Sequence, residues 1–283
     1  MIGLAKRNIL VFFRNKSTMF FSMLSPFIVI GLYVLVLRNG LSGGFGEIVP
    51  YEFMDNWIMA GLLAITTITA TMGAYGIMVE DKSKKIIKDF YSSPIDRRKL
   101  VGGYAISSFV IGMILTLITF ALAELYIVAG GGGFLSFSEI LKALAVVSIS
   151  GFCNTAIMLF MVSMLSSENA FAVASTIIGT LIGFLTGIYM PIGNLPAAVR
   201  WAVKAFPPSH SASLLRQIMM EKPLEAAFKN IPAEELEKTK ETLGVVFKVG
   251  GNTIPQYVSI ALLLVVGAVF FALSVLTISR KSR

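Results

Sequence analysis

Few residues in this chain are equipped for bond-making chemistry. One cysteine, Cys153, and one histidine, His210, stand among 283 residues, so a single chain can supply neither a disulfide framework, nor a zinc site, nor a Cys/His pair. Glu124 is the acid that falls inside an apolar run, and intramembrane carboxylates are functional suspects by default. Counted from Leu100, it sits about 36 Å along its helix, beyond a hydrocarbon layer of about 30 Å, which places it at the outer interface. Hydroxyls are more numerous, with Thr66, Thr67, Thr69 and Thr71 in one run and the amide of Asn154 in another. Thr67, Thr71 and Asn154 could lend a translocation path mild polarity, although threonine also bonds its own helix backbone at i−4, the reading the spacing favours. A membrane-embedded lipid-modifying enzyme would need acid/base, nucleophilic or metal-binding groups at one depth. An ion-coupled secondary transporter would need ionisable groups near the midplane. The runs offer neither set convincingly, and both classes stand as alternatives to the reading developed below.

The elements that carry these residues follow from composition. Hydrophobic residues make up 55% of the chain and charged residues 14%, against roughly 25% charged in an ordinary soluble domain. Apolar runs of about 20 residues can each cross a bilayer. Six are expected, at 19–37, 57–79, 100–128, 143–165, 170–190 and 257–278. The fold class is therefore an all-α polytopic membrane protein, a single domain over 1–283 with no internal repeat.

Orientation comes from the basic residues. Lys6, Arg7, Arg14 and Lys16 precede the first span. Lys82, Lys84, Lys85, Lys88, Arg97, Arg98 and Lys99 lie between spans 2 and 3, and Arg280, Lys281 and Arg283 end the chain. That is fourteen of the 24 bases. The short loops on the opposite side, 39–56 and 130–141, hold no Lys or Arg. The positive-inside rule then makes both termini cytoplasmic in a cell membrane. The formal charge of +8 is spread beside spans rather than over a soluble surface, which argues against nucleic acid. An apolar run too long for a signal-peptide core, with no small-residue cleavage site, marks the N-terminus as a retained anchor rather than a cleaved signal.

Two amphipathic segments accompany the spans. Over residues 1–17, Arg7 and Arg14 share one helical face while Ile2, Ile9 and Phe13 cluster on another, the pattern of an interfacial helix with its bases among anionic headgroups. Between spans 2 and 3, over 81–99, Ile86, Ile87, Phe90 and Tyr91 recur at helical spacing among charges, and Ser93-Pro94 ends the helix. Such a helix needs a cover, either headgroups or a protein groove.

At this segment the sequence resembles the permease subunits of type-2 ABC exporters, which have six spans each. Asp81 takes the family's acidic position, Ile87 that of a Leu, Ser93-Pro94 that of Ser/Thr-Pro, and Arg97 that of an Arg. Lys85 stands where a Gly is usual, and Ile86 where a Thr is usual. The resemblance extends to Lys6-Arg7, Arg14-Asn-Lys16 and Pro26, and to Gly187 through Pro191, Asn194-Leu-Pro196, Phe206-Pro207-Pro208 and Leu215-Arg216. It implies a cytoplasmic coupling helix, Ile86 to Tyr91, docking a separate ATPase through Asp81, Ile86, Ile87, Phe90, Tyr91, Ser93, Pro94 and Arg97. It also implies two ATPase subunits per complex, carrying ATP and Mg, and a second permease copy or paralogue. No G-x-x-x-x-G-K-[ST] loop occurs in this chain, so no catalytic residue, metal or cofactor is assigned to it. Leu41-Ser42-Gly43-Gly44, which copies the start of the ABC ATPase signature, is read as a turn in an outside loop.

Span 5 carries Ser175, Gly179, Gly183 and Gly187 at i, i+4 spacing, a small-residue stripe suited to helix packing or a dimer interface. Residues 191–255 form an outside helical segment, broken by prolines into pieces at 194–206, 209–220, 224–229 and 233–243. Glu234 and Lys238 are expected to pair in the last piece, with Asn230 before it and Gly244 after it. The first two pieces are apolar enough to dip into the outer leaflet. By resemblance the cargo is amphipathic or hydrophobic, such as a drug (multidrug efflux), an antimicrobial peptide or a lipid-linked molecule, with outward transport.

Overall fold

A computed structural model of the chain describes residues 1–37, 51–92, 96–165, 167–229 and 232–280. Within them lie α1 (Ile2–Arg14), α2 (Lys16–Leu32, running into a π-helical turn at Tyr33–Leu37), α3 (Tyr51–Ser83), α4 (Ile86–Ser92), α5 (Arg97–Ala129), α6 (Phe137–Met164) and α7 (Glu168–Leu185). After α7 come α8 (Ala197–Ala205), α9 (Pro207–Met219), α10 (Glu221–Ala227), α11 (Ala233–Thr242), a hairpin of β1 (Lys248–Val249) and β2 (Asn252–Thr253), and α12 (Gln256–Arg280). Six helices, α2, α3, α5, α6, α7 and α12, are long and apolar enough to cross a membrane. They coincide with the six expected runs.

The hub is α3. Trp57, Ile58, Leu62 and Leu63 on successive turns are all fully buried, as befits a helix apolar around its whole circumference. It packs against α5, α6 and α9, and more lightly against α2 and α7. Close approach has local causes. Gly112 of α5 meets Thr71, where an added Cβ would lie 2.5 Å from the threonine methyl, and Gly267 of α12 meets Phe152 and the Cys153 backbone. By contrast α2, α7 and α12 bury little of their surface within one chain.

Helix ends are set by recognisable chemistry. Asn15 separates α1 from α2, and its side chain accepts the Thr18 N–H at 3.1 Å. Ser136 and Glu139 form a reciprocal capping box at the start of α6. Ser167 accepts the Ala170 N–H to start α7. Span 5 stops at Leu185, five residues before the expected Met190. Gly187 has φ +72°, its N–H bonds the Phe184 carbonyl, and the Ile188 N–H reaches back to Gly183, a Schellman ending. Gly244 (φ +68°) ends α11 in the same way, with Val245 N–H on Lys240 O.

The segment after span 5 contains four helical pieces near the expected ones: α8 starts three residues later than expected, α9 two and α10 three residues earlier, and all end one or two residues sooner. Here α9 (PPSHSASLLRQIM) packs against α3, α6 and α12, and its run of small residues from Ser209 to Ser213 is buried, which lets neighbouring backbones approach. In α11 the ion pairs among the described residues run from Glu237 to Lys240 and Lys248, both at 3.7 Å, and from Glu241 to Lys248 at 4.0 Å, rather than between Glu234 and Lys238. Asn230 lies outside the described residues. The hairpin was not expected in an all-helical chain. Gly250 (φ +60°) and Gly251 (φ +85°) occupy its turn, the paired left-handed conformation of a type I′ connection.

Candidate functional site

The segment 81–99 begins where α3 leaves the core. Asp81 is buried at the last turn of α3, and it is met from two sides. Arg7 of α1 donates Nη1 at 2.5 Å and Nη2 at 2.9 Å to its two carboxylate oxygens. The Tyr104 hydroxyl of α5 donates at 2.6 Å. Next to this fork, Asn8 accepts from Arg7 at 3.0 Å and donates to Ser107 at 3.2 Å. The bond to Asp81 raises the Arg7 guanidinium above its ordinary value. The acid placed in the docking set on sequence grounds is thus held by its own chain, as the bolt between α1, α3 and α5.

Arg7 is therefore held by Asp81 rather than left free for headgroups; its side chain is half-exposed, and its guanidinium lies 6.0 Å from the Phe90 ring centroid. Within the chain the buried stripe of α1 is Ala5, Asn8 and Phe12; Ile2, Ile9 and Phe13, the face expected to meet the membrane, lie outside that stripe, and Ile2 is 78% exposed. Lys6, Arg14 and Lys16 are exposed.

After Asp81 the chain turns through Lys85, whose φ of +62° is left-handed. Glycine adopts this geometry without penalty, which accounts for a Gly at this position in the type-2 ABC permeases the sequence resembles. The turn starts α4. Ile87 and Phe90 are half-buried and pack back onto the core, Ile86 is half-buried, and Lys84, Lys85, Lys88 and Asp89 are exposed. The exposed positions of α4 are consequently charged, Lys88 and Asp89, with Lys84 and Lys85 just before the helix and Ile86 at their edge. Arg97 starts α5 half-buried, beside Asp96, which caps that helix by accepting the Arg98 N–H at 3.0 Å. Ser93 and Pro94 lie outside the described residues, as does the side chain of Tyr91 and the turn Leu41 to Gly44. A second strut fixes the same end of the bundle, as Lys82 Nζ donates to the Val162 carbonyl at the end of α6 at 2.7 Å.

Beside this end a groove opens. Its floor is α3, through Thr69, Met72, Gly73 and Gly76, and its walls are α2 and α7, each packed on α3. The part near α4, about 310 Å³, is fringed by Glu80, Lys84 and Glu168. A deeper part of about 500 Å³ continues along the helices past Phe21, Ser22 and Phe171 to Ser175 and Gly179. Asn15, Thr18, Gly73 and Phe171 line both. The deeper part has hydroxyls and aromatics and no charge.

Thr67, Thr71 and Asn154 are elsewhere. Thr67 bonds the Ala64 carbonyl and accepts from Asn154 Nδ2 at 2.8 Å, and Thr71 bonds the carbonyls of Thr67 and Ile68. All three are buried in the contacts of α3 with α5 and α6. Burial closes Thr67, Thr71 and Asn154 off from any path, whereas Thr69, which also bonds its own helix through the Ile65 carbonyl, is half-buried and borders the groove. The glycine stripe also divides. Gly179 faces open space and Ser175 borders the groove, whereas a Cβ on Gly183 would fall within the Tyr189 ring and one on Gly187 would meet Ile192. Gly183 and Gly187 serve the turn that ends α7, not a face presented to another helix. Glu124 is tethered to the α5–α6 loop, accepting the Leu135 N–H at 3.3 Å.

A residue the sequence reading named only within a motif proves central on the opposite side of the molecule. Arg216 of α9 is fully buried, 4.9 Å from the Trp57 ring centroid, and donates Nη2 to the Gly187 carbonyl at 3.3 Å. Trp57 Nε1 donates to the Leu243 carbonyl. Gly61, Gly187 and Gly244 surround the guanidinium so closely that a Cβ on any of them would lie 3.0–3.6 Å from it. Arg216 thus locks the turns after α7 and α11 onto α3.

Comparison with known proteins agrees with this architecture. Residues 51–276 match the ABC-2 family transporter protein domain. Nodulation protein J of Rhizobium leguminosarum bv. trifolii is 29% identical over 102 residues, 36% of this chain and 39% of that protein. Its counterpart in Rhizobium meliloti strain 1021 is 28% identical over 98 residues, 35% and 37% respectively. The aligned part thus spans about two fifths of the length of these relatives. With the family match running from the hub helix almost to the end of the last span, the chain belongs to the ABC-2 family of transporter proteins.

Proposed function

We propose that this permease is the membrane half of an ATP-driven exporter, with α4 docking a separate ATPase and the α2–α3–α7 groove forming half of the cargo path. The groove is the observation that carries the reading. It joins the charged end beside α4 to an uncharged, aromatic and hydroxyl-lined interior, and its walls are two of the three spans that bury little of their surface within one chain. Two such grooves facing each other across a second copy or a paralogue would enclose a path that one chain leaves open. Closure of two ATPase subunits, loaded with ATP and Mg, would push α4; the Arg7–Asp81–Tyr104 bolt would pass that push to α1, α3 and α5 together. Cargo chemistry follows the lining: an amphipathic molecule, with apolar parts against Phe21, Met72 and Phe171 and hydrogen-bonding groups at Ser22, Thr69 and Ser175. Both termini and α4 would be cytoplasmic, in the cell membrane.

The test is transport of an amphipathic dye in inverted vesicles holding the permease with the ATPase encoded beside it. Gly179→Trp fills the groove from a position with free space. It is expected to cut ATP-dependent dye uptake about tenfold while the complex still assembles. Dye uptake that persists unchanged in Gly179→Trp, or that proceeds without ATP, would count against the groove and against the exporter respectively.

A further inference from the structure

A charged recess on the membrane face opposite α4 is used by none of the above. Helix α8, with sequence AAVRWAVKA, has two sides. Val203 and, less completely, Val199 pack against Ile192, Leu195 and Phe247, while Arg200 and Trp201 point outward, Trp201 62% exposed. Arg200 and Lys204 lie one turn apart, and Lys238 of α11 approaches from across the gap. Together they line a recess of about 270 Å³ whose floor includes Ile192 and Gly193. One acid, Glu241, shares the lining, and the Lys248 ammonium already lies 4.0 Å from it. Among the described residues, Arg200, Lys204 and Lys238 have no carboxylate partner. Lys204 instead donates to the Lys248 carbonyl at 2.5 Å and sits 5.7 Å from the Trp201 ring. Three cations therefore converge on one concavity with a single, shared counter-charge.

Position identifies the anion. Helix α8 follows the end of span 5 by a short turn, and beside that end Phe184, Met190 and Trp201 are exposed apolar side chains. A tryptophan with flanking bases at a span's end is the pattern of a headgroup-level anchor. A planar guanidinium suits the two free oxygens of a phosphate, and lysines add point charge. We infer that the Arg200–Lys204–Lys238 recess binds the phosphate of an anionic phospholipid in the leaflet facing away from α4. The site seats the outside helical segment on the membrane and is independent of what the permease carries.

Tryptophan fluorescence of the full chain in nanodiscs tests this directly. The chain has two tryptophans, and Trp57 is fully buried, so quenching by brominated lipid reports Trp201. Brominated phosphatidylglycerol is expected to quench wild type about twofold more than brominated phosphatidylcholine at equal mole fraction. Arg200→Gln with Lys204→Gln and Lys238→Gln should abolish that excess and leave the blue Trp57 emission in place. Because Lys204 also holds the Lys248 carbonyl, Arg200→Gln with Lys238→Gln, both at exposed positions, provides a variant expected to fold and to lose most of the excess. Equal quenching by the two lipids in wild type, or an excess that survives either variant, would overturn the site. Excess abolished by millimolar inorganic phosphate would overturn the lipid as its ligand in favour of a free phosphate; excess that persists supports the headgroup.

Discussion

Asp81 illustrates what a single position can and cannot disclose. Its acidic character beside a basic amphipathic segment is visible in the sequence, but its partner Arg7 is 74 residues away, and no local pattern announces a contact of that range. With the Asp81 side chain 3% exposed and that of Arg7 36% exposed, removing Arg7 strands a buried charge, which costs about 3 kcal/mol, whereas removing Asp81 leaves a cation that water reaches. Arg7→Gln is expected to lower thermal stability in detergent by that order, Asp81→Asn by less, and the double variant by little more than Arg7→Gln alone, because both changes break one interaction. Additive losses would show that the two residues act separately. Lys85 provides the opposite sign. Its left-handed backbone disfavours any side chain by roughly 1–2 kcal/mol, so Lys85→Gly should stabilise the fold slightly and raise the unfolding midpoint. Arg216 was legible only as part of a motif, because a lone arginine in a loop-rich segment gives no sign that three glycines and a tryptophan will close around it.

At the scale of elements, the spans were legible because run length and hydropathy report burial in lipid directly. Their ends were less so. The i, i+4 spacing of Ser175, Gly179, Gly183 and Gly187 describes a continuous helix, yet the last glycine takes φ +72° and stops it; spacing carries no information about backbone sign. Gly187→Ala is therefore expected to destabilise by about 1–2 kcal/mol from conformation alone, and further from contact with Ile192. Gly179→Ala, facing open space, should leave the midpoint of the single chain unchanged. Equal effects of the two substitutions would restore the uniform stripe. The two-glycine hairpin at Gly250 and Gly251 had a local signal that a helical reading passes over, since two-residue strands leave no periodicity. At the junction of α8 and α9, His210 bonds Ser259 Oγ and the Lys204 carbonyl, both at 2.9 Å, and burial lowers its pKa. The folded state then holds it neutral while the unfolded chain takes up a proton near pH 6.5. Its contribution to stability is complete above about pH 6.5 and is lost as pH falls through the lowered folded value. Unfolding midpoints from about pH 7.5 down to about pH 5.5 should drop more for wild type than for His210→Gln; parallel curves would remove His210 from the acid sensitivity.

At the scale of the molecule, one chain buries α3 on all sides and leaves α2 and α7 bare along a groove. The sequence could list the helices but not say which face of α3 meets which neighbour. For that reason Thr67, Thr71 and Asn154 looked as eligible for a path as Thr69 until packing consumed them. The same packing turns Ile87 and Phe90 partly inward and leaves Lys88 and Asp89, with Ile86 beside them, as the accessible part of α4. The central claim, that α4 couples this permease to an ATPase, is tested most directly by co-purifying the ATPase encoded beside it with wild type and with Ile86→Glu combined with Lys88→Glu, scoring complex formation and ATP hydrolysis. Wild type should retain an active ATPase, and the double variant should release it while keeping the wild-type unfolding midpoint. An ATPase that stays bound and equally active on the folded double variant, or that never binds wild type, would contradict the assignment of α4 as the docking element.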